Sequence, residues 1–284
     1  MDTTMRLLFI LSFLFLTIGC QAQSVTTSNL TVGTIYFAPS LQNDITTNLN
    51  GLAADSGTQS YIPSVPNLGT NQLVWTWPVN LSCVGVGNEG YQHVLLAPNC
   101  ILLNVHYGPT TNLLISFMDT NGIPYVAGIT GLVYSSNDMV LGMMSSNMPA
   151  TFVFPLVFPP GFTNNLSGHT PLGLPCVWAH KNANQLEAGV INFWQPGGTG
   201  EYLVSMEFNY STNYPKGGIA PSAGDSGSPT FFIIHNNPVL LGAMTLTTAA
   251  FCCVSDGINW NVITNALGGT NTLRIINLAA YPNF

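Results

Sequence analysis

Residues 224–229 read GDSGSP and set one serine, Ser226, between two glycines. A serine hydroxyl becomes a nucleophile only when a base takes its proton and N–H donors receive the oxyanion it creates. The segment supplies serine and donors together. Gly224 permits the tight turn that aims its own N–H and that of Ser226 at one point, and Gly227 leaves space for an acyl group. At average residue frequencies the pattern G-D-S-G-x-P arises by chance on the order of a few times in ten thousand chains of this length. That rarity favours chemistry over a polar turn that merely precedes an apolar strand.

A base and an orienting acid must come from elsewhere. Of the five histidines, His106 closes the apolar run in NCILLNVHYG, which delivers its ring to a strand–loop junction. His93 lies inside a strand-like run, His169 in a linker, His180 beside Lys181 and His235 in a turn before Pro238. Apart from Asp225 beside the serine, two aspartates separate His106 from Ser226. Asp119 is consumed by a DTNG hairpin turn. Asp138 remains, immediately before an apolar strand, where a carboxylate can hold the imidazole Nδ1–H. In this reading His106 is the base, Asp138 its orienter and Ser226 the nucleophile. The α/β-hydrolase elbow is excluded by order, because it needs an acid and then a histidine downstream of the serine. Here His235 precedes Asp256, and these are the only such groups downstream.

The elements that must position these residues read as strands. From Gln72 onward, short runs such as LVWTWPVNLSCVGV and HVLLAPNCILLNVHYG are cut by Gly, Pro and Asn, the pattern of an all-β sandwich or barrel. A Pro- and Gly-rich stretch over 148–175 interrupts them, and strand texture resumes afterwards. Near the end, DGINWNVITNALGG predicts a helix, with Ile258, Val262, Ile263 and Ala266 at helical spacing, Asp256 as its cap and Gly268 as its stop. Residues 23–71 read as an extended polar segment.

The order His106, Asp138, Ser226 resembles that of the chymotrypsin-like (trypsin-fold) serine proteases, especially their secreted bacterial branch. ILLNVH is similar to the family's Thr-Ala-Ala-His strand end, DMVLGMMSSNMP to its Asp-Ile-Ala-Leu-Leu run, and GDSGSP to its Gly-Asp-Ser-Gly-Gly-Pro. The resemblance covers roughly residues 72–269. It implies an all-β fold of two antiparallel six-stranded β-barrels, over about 72–148 and 166–256, joined by a linker at 149–165 and followed by a short C-terminal helix near 257–267. It further implies an oxyanion hole at Gly224 and Ser226, a primary pocket with Ala220 at its base, and a substrate wall of Thr245, Leu246 and Thr247. Such a pocket suits small or medium apolar side chains. Two departures stand out. Asn104 and Val105 replace small alanines, so packing behind the imidazole must differ. No Lys or Arg lies between the N-terminal signal and His106, so a trypsin-like cut there cannot supply a new ammonium to Asp225.

Composition limits the partners. Of 284 residues only 5% are charged, the formal net charge is -7, and the basic residues are Arg6, Lys181, Lys216 and Arg274. No patch of that size can neutralise a run of phosphates, so no nucleic-acid partner is expected. The expected partner is a protein or peptide substrate, handled by a monomer with no metal and no organic cofactor. Residues 1–22 read as a secretory signal, with cleavage after Ala22 or lipid attachment at Cys20 as competing outcomes and a secreted or cell-envelope location in either case. Membrane contact is expected only through a lipidated Cys20. In an oxidising compartment Cys83 is expected to pair with Cys100, and Cys176 with Cys252 or Cys253. Two other readings stay open: an inactive protease-like binding module, and a β-rich surface or adhesive protein suggested by the Asn/Thr-rich composition.

Overall fold

The computed structural model describes residues 80–162, 174–180, 185–196, 201–207, 224–235, 237–246 and 250–280. The expected signal segment with Cys20 and the extended segment over 23–71 lie outside them. Six antiparallel strands close the first half into a barrel: β1 (Val84–Gly87), β2 (Gln92–Ala97), β3 (Cys100–Asn104), β4 (Leu114–Met118), β5 (Pro124–Tyr134) and β6 (Met139–Met144), in the order β1-β2-β3-β6-β5-β4. The DTNG turn joins β4 to β5, with Asp119 Oδ1 accepting the N–H groups of Asn121 and Ile123, both at 2.8 Å. Every residue of β2 and β3 is buried. These two strands lack polar alternation because one face lines the barrel and the other meets the C-terminal half.

In the C-terminal half the six expected strands are joined by two more. This half is an eight-stranded sheet built from β7 (Leu156–Val157), β8 (Leu174–His180), β9 (Gln185–Pro196), β10 (Glu201–Glu207), β11 (Pro229–Ile234), β12 (Asn237–Leu246), β13 (Ala250–Cys253) and β14 (Arg274–Ile275). The order is β11-β8-β9-β10-β13-β12-β7-β14, with a further pairing between β11 and β12. The two added strands follow from the length of β12, which changes neighbours along its course. Val239 and Leu240 pair with Leu156 and Val157, whereas the stretch from Gly242 to Leu246 pairs with β13. Linker and tail therefore dock as short parallel strands, an arrangement open to segments far apart in the chain and closed to hairpins.

The helix, α1, spans Gly257–Leu267. Asp256 accepts the Ile258 N–H at 2.8 Å, and Gly268 ends the helix at φ 69°. Trp260 and Ile263 face the core. Phe158 stacks on Phe162 at 3.6 Å and meets Phe232 edge-on at 5.9 Å, filling the C-terminal half.

The expected disulfides are not formed. Cys83 and Cys100 are buried as free thiols, and none of the five described cysteines is bridged. The sheet order explains the failure. Cys83 directly precedes β1 and Cys100 opens β3, with β2 between them. Two strand spacings put their backbones about 9–10 Å apart, beyond the roughly 7 Å that a bridge tolerates. Cys176, on β8, is likewise separated from β13 by intervening strands. Among the described residues no helix is long and apolar enough to cross a membrane.

Candidate active site

At Asn104 β3 gives way to a single 3-10 turn, Val105–Tyr107, closed by Gly108 in the left-handed region at φ 61°. Asn104 pairs with Met139 across to β6, and the Val105 N–H donates to the Asp138 carbonyl at 2.7 Å. This register carries His106 to Asp138. The His106 backbone N–H donates to Oδ1 at 2.8 Å, and its ring Nδ1 hydrogen-bonds Oδ2. A carboxylate accepts, so Nδ1 holds the proton and Nε2 of the neutral ring is the acceptor, as a general base requires. The His106 side chain is 39% exposed and that of Asp138 only 14%, so the acid stands behind a ring that still reaches solvent.

The loop that presents Asp138 is pinned from the far end of the chain. Ser135 N–H donates to the Met139 carbonyl at 3.0 Å, and Asn137 Oδ1 accepts the Met139 N–H at 2.9 Å. Asn259 of α1 is fully buried. Its Oδ1 accepts from Ser135 Oγ at 3.0 Å and from Asn137 Nδ2 at 2.8 Å, while its Nδ2 donates to the Cys253 carbonyl at 2.8 Å.

Asn104 is buried at the junction of the two halves. Its Nδ2 donates to Asp138 Oδ2 at 3.0 Å and to the Met244 carbonyl at 2.9 Å. Three donors thus converge on Asp138: the His106 backbone, the His106 ring and the Asn104 amide.

Ser226 sits in a turn that leads into β11. Gly224 has φ 105° and Gly227 φ 84°, angles that a side chain disfavours. A Cβ on Gly227 would also lie 3.2 Å from the Gln92 carbonyl of the first barrel, a tight contact that glycine avoids. The Gly227 N–H donates to Met244 O at 2.6 Å, Ser228 N–H to Asp225 O at 2.9 Å, and Met244 N–H to Ser228 O at 3.0 Å. Asp225 is fully buried and Ser226 is 7% exposed.

The Ser226 hydroxyl donates to the Thr245 carbonyl at 3.1 Å. A hydroxyl has one proton, so in this rotamer Ser226 does not also donate to His106. The neighbour of His106 reaches the serine instead. Tyr107 lies 4.2 Å from the His106 ring and stacks on Tyr91 at 3.7 Å. Burial raises the Tyr107 phenol above its ordinary pKa, opposed by hydrogen bonding with Ser226. The phenol is therefore a neutral hydroxyl at neutral pH, close to Ser226.

The structure joins His106 to Asp138 and Ser226 to the carbonyl of the buried Thr245, and it links the two pairs through Asn104 and the Met244 carbonyl. Leu246 ends β12, whereas Ala220 and Thr247 lie outside the described residues. Of the other histidines, His93 is buried in β2 with Nε2 2.5 Å from Glu89 Oε1, and His235 occupies the β11–β12 turn at φ 48°. Among the described residues no group of three or more His, Cys, Asp or Glu is placed to hold a metal ion. Sequence reasoning missed Tyr107 and Asn259 and read Asn104 only as altered packing. A tyrosine directly after the candidate base was the one signal available for them. No protein-family model matches the chain, and no curated protein sequence matches it.

Proposed function

We propose that the chain is an exported serine endopeptidase that cleaves peptide bonds through an acyl-enzyme. The observation that carries this reading is the Asp138 carboxylate, which takes both the backbone N–H and the ring Nδ1 of His106 and thereby aims Nε2 outward. In the proposed reaction Ser226 Oγ rotates from the Thr245 carbonyl, gives its proton to His106 Nε2 and attacks the substrate carbonyl carbon. The tetrahedral oxyanion accepts from the N–H groups of Gly224 and Ser226. His106 then protonates the leaving amine, and water, deprotonated by the same nitrogen, releases the acid and restores Ser226.

The circuit of pairings through β8, β9, β10, β13, β12 and β11 supports reading the C-terminal half as a second barrel dressed with two extra strands. A small or medium apolar side chain before the scissile bond is the proposed preference. The resemblance assigns Ala220 to a position where an acid would be needed to pair with a substrate Arg or Lys, and a buried unpaired cation costs several kcal/mol.

A second reading, the inactive binding module, is favoured by one observation: the serine hydroxyl is engaged within the chain, by the Thr245 carbonyl. An active-site-directed fluorophosphonate separates the two. Labelling of the purified protein at Ser226 supports the hydrolase. No labelling, or labelling unchanged in Ser226→Ala, overturns it.

A further inference from the structure

We propose that Asn104 is a positioning residue that fixes the Asp138 carboxylate against His106 and couples it to the serine turn, an inference that rests on the hydrolase reading of this site. The Asn104 amide divides its two N–H groups between Asp138 Oδ2 and the Met244 carbonyl. That same carbonyl accepts the N–H of Gly227, next to the nucleophile, at 2.6 Å. One continuous path therefore runs from the carboxylate through Asn104 and Met244 O to the turn that holds Ser226.

The orientation of the amide is forced. Rotating it by half a turn would aim Oδ1 at two acceptors, a carboxylate oxygen and a carbonyl. The orientation adopted leaves Oδ1 buried without a hydrogen-bond partner. It faces Gly227, where a Cβ would stand 3.7 Å away. A buried, unpaired acceptor is unfavourable, and its retention calls for an explanation. The two donor bonds that this orientation secures, one to the acid and one to the serine-bearing half, provide it. Without the amide, Asp138 Oδ2 keeps only the ring of His106, and the carboxylate gains freedom to rotate about the bond that aims Nε2.

The test uses Asn104→Leu, which keeps bulk and removes both donors, and reads the His106 Nδ1–H proton resonance in histidine-labelled full-length protein. Wild type is expected to show this proton at low field and slow to exchange, and the variant to show it broadened or shifted upfield. An unchanged resonance overturns the proposal. In peptide hydrolysis the variant is expected to lose kcat by on the order of 10- to 100-fold with KM little altered, the pattern of a misaligned base. A loss confined to KM overturns it as well. Should the variant not fold, the Asn104 side-chain amide protons of wild type serve instead: slow exchange is expected, and exchange at the solvent rate overturns the assignment. Neither resonance depends on turnover. Failure of the hydrolase reading, seen as absent Ser226 labelling, is therefore distinguishable from failure of the Asn104 proposal.

Discussion

Tyr107, directly after the candidate base His106, brings its phenol beside Ser226. A substrate acyl group must approach the same serine. Tyr107→Phe removes the oxygen and keeps the ring stack on Tyr91. One net hydrogen bond of about 1 kcal/mol corresponds to a roughly fivefold faster reaction of Ser226 with a fluorophosphonate. Pseudo-first-order labelling rates measure this, and an equal or slower rate in the variant would show that the phenol does not obstruct the serine.

Ser226→Ala and His106→Ala should each abolish peptide or ester hydrolysis, with losses approaching about 10⁶-fold in kcat, because triad members act as a unit. Asp138→Asn should cost less, about 10⁴-fold, through loss of ring orientation. Asp119→Asn should leave kcat within about twofold, since this carboxylate only closes the β4–β5 turn. Steady-state kinetics on one fluorogenic peptide rank the four variants. Asp119→Asn falling below Asp138→Asn would reverse the acid assignment.

Asn259→Ala should destabilise the protein by about 3 kcal/mol, because it takes away a buried partner of Ser135 Oγ, Asn137 Nδ2 and the Cys253 carbonyl and leaves a hole. Urea unfolding reads the loss. Activity should fall too, since the loop it releases presents Asp138. A stability change under about 0.5 kcal/mol, the range of an ordinary surface substitution, would show that the loop holds its shape without α1.

Burial raises the Cys83 and Cys100 thiols from an ordinary value of 9.0 to about 12. In the unfolded chain they ionise near the ordinary value, so above it the unfolded state binds fewer protons than the folded one. Stability is then fully present below about pH 9 and declines as pH rises towards 12. The raised Tyr107 phenol acts in the same direction. Urea midpoints between pH 8 and 10.5 should fall steadily, and native protein at pH 8 should resist thiol reagents. A rising midpoint, or prompt modification of Cys83, would contradict the burial.

What the sequence disclosed was local chemistry. Asp119 in its turn, Asp256 ahead of α1 and Gly268 behind it are each determined by residues within four positions, and each was legible. The grouping of His106 with Asp138 was legible as well, because a single β3–β6 pairing delivers both. The bridges failed because cysteine spacing says nothing about how many strands intervene. Asn104 and Asn259 were unreadable for a related reason, since their partners lie 140 and 122 to 124 residues away and depend on contacts between the halves. The extra strands β7 and β14 are two residues each, too short to carry any period.

The Met244 carbonyl has a bearing on the order of events as the chain is made. Synthesis runs from the N-terminus, and domains tend to fold as they emerge. A nascent chain that has completed only the first barrel has His106 and Asp138 but lacks the acceptor that anchors Asn104, the turn that carries Ser226 and the helix that holds the Asp138 loop. Each missing part sits beyond residue 220. On the proposed reading, a chain that stops before residue 220 has the base and its orienting acid without the nucleophile, and is expected not to hydrolyse peptides.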